Sequence, residues 1–111
     1  MTSVIDAKVF DEIAELMEDS LGLFIETFLE NSPKLIQNIR TALTEDDYEK
    51  VMVNAHQLKG GSGSIGVMQV FALAKQMEED VKQNKHDQLK SAFTALEDAY
   101  VQAEVALRAH L

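Results

Sequence analysis

Apolar residues recur along this chain at intervals of three and four, the period of a helix that buries one face. Val9, Phe10, Ile13 and Leu16-Met17 make the first stripe. Ser3-Val4-Ile5-Asp6 introduces it with the spacing of a capping box, Asp standing where Glu is usual. Asp19 or Ser20 can cap a second helix carrying Leu21, Phe24, Ile25, Phe28 and Leu29, and its stripe runs on through Leu35, Ile36, Ile39 and Leu43. Pro33 interrupts this segment, either kinking one helix or opening a new one after an Asn31-Ser32 cap. The unbroken stripe favours one long helix with room for a bend.

Thr44-Glu45-Asp46-Asp47 is the next helix-start signal and predicts a third helix from about Glu45 to about Ser62. Its inward face is Tyr48, Val51, Ala55, Leu58 and Ser62, and the Gly-Ser cluster that follows should end it. A fourth helix is expected from about Gly66 to Gln83, with Val70, Leu73, Ala74, Met77 and Val81 inward. Asn84-Lys85-His86 reads as a polar connection. Asp87 should cap a last helix bearing Leu89, Phe93, Leu96, Tyr100, Ala103 and Leu107. No alternating strand pattern, repeat or linker intervenes. The expectation is an all-α single domain over residues 1–111: an antiparallel four-helix bundle with a short additional N-terminal helix.

Composition agrees. A chain of 111 residues, 46% hydrophobic, can bury roughly two-thirds of its unfolded surface. Its aromatics are five Phe, two Tyr and no Trp, and it has one Pro, a balance that favours helices over a many-turned β fold. The absence of Cys excludes disulfides, thiolate metal sites and cysteine nucleophiles. Ten basic against nineteen acidic residues give a net charge of −9, a field that repels nucleic acid and anionic lipid. Neither a secretory signal nor an apolar run long enough to span a membrane is present, so a cytoplasmic location is expected.

The candidate chemistry lies in Asn54-Ala55-His56-Gln57-Leu58-Lys59-Gly60-Gly61-Ser62-Gly63-Ser64-Ile65-Gly66. On a wheel of about 100° per residue, His56 falls about 120° from the inward stripe of the third helix, beside Glu49, Val53 and Gly60. Met52, Lys59 and Gly63 flank that outer strip. An exposed helical histidine is usually only solvated, but three neighbours suggest more. Gly60 sits one turn on and costs a helix interior roughly 1 kcal/mol relative to Ala, which points to close approach by another backbone. Met52 and Val53 make a small apolar patch suited to docking. Lys59 can neutralise part of the charge on an anion held by His56.

Gly61-Ser62-Gly63-Ser64-Ile65-Gly66 also fits G-x-G-x-x-G, yet a helix precedes it and no βαβ unit surrounds it, so dinucleotide binding is rejected. No P-loop lysine follows, and neither H-E-x-x-H nor a paired Glu-x-x-His set occurs, so no metal site is expected. His86 and His110 read as solvated.

At these residues the chain resembles the histidine-containing phosphotransfer (HPt) domain family. Ala55, His56, Leu58, Lys59, Gly60 and Gly66 stand in register with its Ala-His-x-Leu-Lys-Gly motif and later Gly. Val70, Leu73 and Met77 fill its apolar places, and Glu78 falls at its acidic position, twenty-two residues after the histidine. Two departures occur: Gly63-Ser64 where the family often has Ala-Asn, and Val67 for a frequent Ala.

The resemblance implies a phosphorelay carrier. His56 would accept a phosphoryl group from a receiver-domain aspartate of a hybrid sensor kinase and pass it to a response-regulator aspartate. Glu78 would orient the imidazole, Lys59 would balance charge, and Met52, Val53, Gly60 and Gly63 would meet the receiver. From the residues alone Glu78 is equally a solvated acid in the run Glu78-Glu79-Asp80, since charge runs usually face water. A free-standing bacterial carrier, a monomer without ATP binding, is implied, with no cofactor of its own and Mg²⁺ on the receiver. The alternatives are a non-phosphorylated helical adaptor for receiver or kinase domains, and, on three scattered histidines, a metal-binding bundle.

Overall fold

The computed structural model describes residues 5–17 and 20–111, without the side chains of residues 14, 16 and 17. Five α-helices carry the fold: α1 (Ala7–Met17), α2 (Leu21–Thr44), α3 (Tyr48–Ile65), α4 (Met68–Lys82) and α5 (Leu89–Arg108). A 3₁₀ turn, His86–Gln88, leads into α5, and no strand occurs among the described residues. α3 packs between α2 and α4, α5 closes the square against α4 and α2, and α1 lies across α2 and α3. The expected bundle is present.

Its core follows the sequence stripes. Ile25, Phe28, Leu29, Ile36, Ile39 and Leu43 of α2 face Val51, Ala55, Leu58 and Ile65 of α3, all buried. From the other side come Val70, Ala74 and Met77 of α4 and Leu89, Phe93, Leu96 and Leu107 of α5. Leu73 and Val81, expected inward, are half-buried against this core. Pro33 lies within α2, which runs through it as one helix. The missing N–H leaves the fourth carbonyl back without its helical donor, a local cost of about 3 kcal/mol that the packed stripe on either side outweighs.

Helix starts differ from the expectation in detail. Asp6 itself caps α1, its Oδ1 accepting from Val9 N at 3.1 Å, while Ser3 and Asp19 lie outside the described residues. Side chains of the expected Leu16-Met17 pair are likewise outside the description. Ser20 stands at the N-cap of α2 but makes no side-chain cap bond. Asp47 caps α3 by accepting from Lys50 N at 3.2 Å. Asp87 is part of the 3₁₀ turn and Gln88 precedes α5, so Asp87 is no cap.

Three helices stop in one way. Asp46 (φ 54°), Gly66 (φ 80°) and Asn84 (φ 57°) each adopt the left-handed conformation after α2, α3 and α4. Each donates its N–H to the carbonyl three back, and the next residue donates to the carbonyl five back: Asp47 to Ala42, Val67 to Ser62, Lys85 to Asp80. This Schellman closure pairs carbonyls the helix end would leave open. It also corrects one boundary. The Gly-Ser cluster does not end α3, which continues through Gly60, Gly61 and Gly63 to Ile65 and stops only at Gly66.

Candidate functional site

The α3–α4 turn sets the site. Glu78 lies about as many residues after Gly66-Val67 as His56 lies before it, so antiparallel packing brings the two side chains level. His56 is 65% exposed, and its Nδ1 is 2.5 Å from Glu78 Oε2. Glu78 is only 5% exposed, and its other oxygen accepts from Lys59 Nζ at 2.7 Å. An ionised carboxylate only accepts, so the bond assigns the proton to Nδ1. Nε2 is left with its lone pair outward and no hydrogen-bond partner among the described residues.

Burial alone pushes the Glu78 carboxyl upward. The hydrogen bonds from Lys59 and His56, with their charges, outweigh it and hold the group below its ordinary value of 4.5. Charge runs usually face water; this one does not. Of Glu78-Glu79-Asp80 only Glu79 is exposed, while Glu78 and Asp80 are buried.

The other expected site residues divide. Met52, half-buried, and Val53, 45% exposed, line a groove of about 280 Å³ with His56, Gln57, Glu78 and Lys82. A Cβ at Gly60 would meet nothing within 4 Å, so no packing inside this chain requires glycine there. Gly63 is different: a Cβ would stand 3.1 Å from Phe71 Cδ2, which gives the residue a role in joining α3 to α4. Lys59 is 24% exposed, with its ammonium on Glu78.

Gln57 and Lys82 were not singled out in the sequence. Gln57 lines the His56 groove and also an apolar groove of about 380 Å³ between α2 and α3, beside Phe24, Phe28 and Leu35. Lys82 lies one turn past Glu78 on α4, a spacing that could have revealed it.

His86 and His110 are less free than expected. The His86 ring stacks on Tyr48 at 3.6 Å between centroids, and His110 packs on Phe10 at 4.6 Å. Among the described residues no cluster of His, Cys, Asp or Glu could hold a metal ion. No described helix is long and apolar enough to cross a membrane.

A helical bundle that presents one imbedded carboxylate and one outward imidazole is the architecture of a histidine phosphotransfer domain. The profile of that family, the Hpt domain, matches residues 23–106, and the chain belongs to it. Histidine-containing phosphotransfer protein 2 from Arabidopsis thaliana is 34% identical over 77 residues, 63% of this chain. The chain spans about half the length of that relative, 49%. The crystal structure of histidine-containing phosphotransfer protein B from Pseudomonas aeruginosa PAO1 superposes with a TM-score of 0.92 at 21% identity, over 99% of this chain and 96% of that one. The structure of a rice protein described as a putative histidine-containing phosphotransfer protein gives 0.83 at 20% identity, over 96% and 79%.

Proposed function

We propose that this chain is a phosphorelay carrier that takes a phosphoryl group onto His56 Nε2 from an aspartyl phosphate on one receiver domain and gives it to an aspartate on another. The carrying observation is the Nδ1–H of an exposed imidazole held by a buried carboxylate, which leaves Nε2 as an accessible nucleophile. In the forward step the Nε2 lone pair attacks phosphorus, and the P–O bond to the donor breaks with its electron pair leaving on the aspartate. No proton need move, because Nδ1 keeps its hydrogen against Glu78, and that carboxylate offsets the positive charge the ring acquires.

Lys59 supports the step through Glu78, whose ionised form it stabilises. The bare Gly60 surface and the Met52–Val53 patch are the ground on which a receiver would rest. Mg²⁺ stays on the receiver in this reading, and the carrier binds no ATP. The carrier is a cytoplasmic monomer, and its partners are the receiver domains of a hybrid sensor kinase and a response regulator.

Incubation with a phosphorylated receiver domain tests the proposal. Acid-labile, base-stable phosphate should appear on the wild type and be absent from His56→Gln. Equal labelling of the two proteins would overturn it.

A further inference from the structure

The free cation of this site is not the one the motif supplies. Lys59 is largely buried with its ammonium on Glu78 Oε1, so it acts on the imidazole through that carboxylate. Moving it onto a phosphoryl group would strip a buried carboxylate of a charged partner, which is unfavourable. A different lysine lines the groove beside His56. Lys82 is exposed on α4, one turn beyond Glu78, and faces the channel formed with Met52, Val53, His56 and Gln57. Among the described residues it has no ion pair or hydrogen bond.

Reach and direction fit. α3 and α4 run antiparallel, so one turn onward on α4 lies opposite one turn back on α3, beside Met52 and Val53. The four residues from Glu78 to Lys82 rise about 6 Å along α4, a span that a flexible four-carbon stem can cross.

Resting on the carrier reading above, we propose that Lys82 is the residue that touches the phosphoryl group on His56 Nε2, in transfer and in the phosphorylated protein. Its ammonium donates to the non-bridging oxygens as the Nε2–P bond forms and the P–O bond to the donor breaks. Lys59 remains a positioning residue for Glu78.

The test uses the full chain as wild type, Lys82→Gln and Lys82→Arg, with two phosphoryl donors: phosphoramidate, which needs no protein partner, and a phosphorylated receiver domain. Circular dichroism and urea unfolding check the fold, since Lys82 also lies in the last turn of α4, where a cation favours the helix end. Lys82→Gln should lose about tenfold in the phosphoramidate rate and in the maximal rate at saturating receiver. Half-saturation should hold, Lys82→Arg should recover most of the loss, and the purified phosphorylated variant should hydrolyse at an altered rate. Unchanged rates with both donors would overturn the assignment. So would a change confined to half-saturation by the receiver, which makes Lys82 a docking contact only, or a loss of stability with no loss of rate, which makes it a helix-end residue only. Failure of the wild type to label at His56 with either donor would instead sink the carrier reading itself.

Discussion

Glu78 stays ionised at 5% exposure because two donors face it, one oxygen each. That arrangement has a consequence in acid. A carboxyl depressed on folding contributes stability that is fully present above its unfolded pKa and is lost as pH falls through its folded one. Urea titrations should therefore show Glu78→Gln less stable than wild type by about 1–3 kcal/mol at neutral pH. The gap should narrow as pH falls below 4.5, the ordinary value from which this carboxyl is lowered. A gap independent of pH would contradict an ionised Glu78. Transfer should respond as well: Glu78→Ala frees the ring to turn and to exchange tautomers, and is expected to slow labelling of His56 by about tenfold, the worth of roughly one hydrogen bond. Labelling at the wild-type rate would leave Glu78 a structural residue.

The glycines of α3 separate function from packing at the level of the helix. Gly60 has open space where a Cβ would stand, whereas Gly66 combines φ 80° with Phe10 N at 3.3 Å from that position. Gly60→Ala should accordingly raise stability by about 0.5–1 kcal/mol, the helix-propensity gain. Gly66→Ala should lower it by about 1–2 kcal/mol through left-handed strain and contact with α1. Equilibrium unfolding of both variants checks the pair, and a loss of stability in Gly60→Ala would mean that glycine serves this chain's own fold. Gly60→Gln should share most of that gain in stability yet slow transfer from a receiver by obstructing its approach; undiminished transfer would remove the clearance role.

Much of this element scale was legible in the sequence, because a bundle is written as apolar periodicity and each stripe from Ile25 to Leu107 is buried or half-buried against the core. What was not legible followed from cooperation between neighbours. The Gly-Ser run looked like a helix stop, since Gly is costly inside a helix, but Ser62 and Ile65 pack inward and carry α3 onward. Asp46 and Asn84 ended helices through φ values that a non-glycine residue conceals in sequence. The burial of Asp80 and the bond from Lys59 to Glu78 depended on the partner helix, which periodicity along one segment cannot report, whereas the resemblance had already pointed to Glu78 as the partner of His56.

Across the whole molecule the three histidines hold three different situations. His86 stacks on Tyr48 at the end where α2 meets α3 and α4 meets α5. His110 rests on Phe10 where the C-terminal residues meet α1. Only His56, on the α3 face between the two grooves, combines a held Nδ1 with a clear Nε2 among the described residues. The most direct measurement follows from that contrast: long-range ¹H–¹⁵N spectra of the intact, ¹⁵N-histidine-labelled chain before and after incubation with a phosphorylated receiver. The expected result is one altered ring, His56, phosphorylated at Nε2 and still protonated at Nδ1, with His86 and His110 unchanged. Phosphate on Nδ1, phosphate on either other histidine, or no altered ring in the presence of a competent donor would contradict the account.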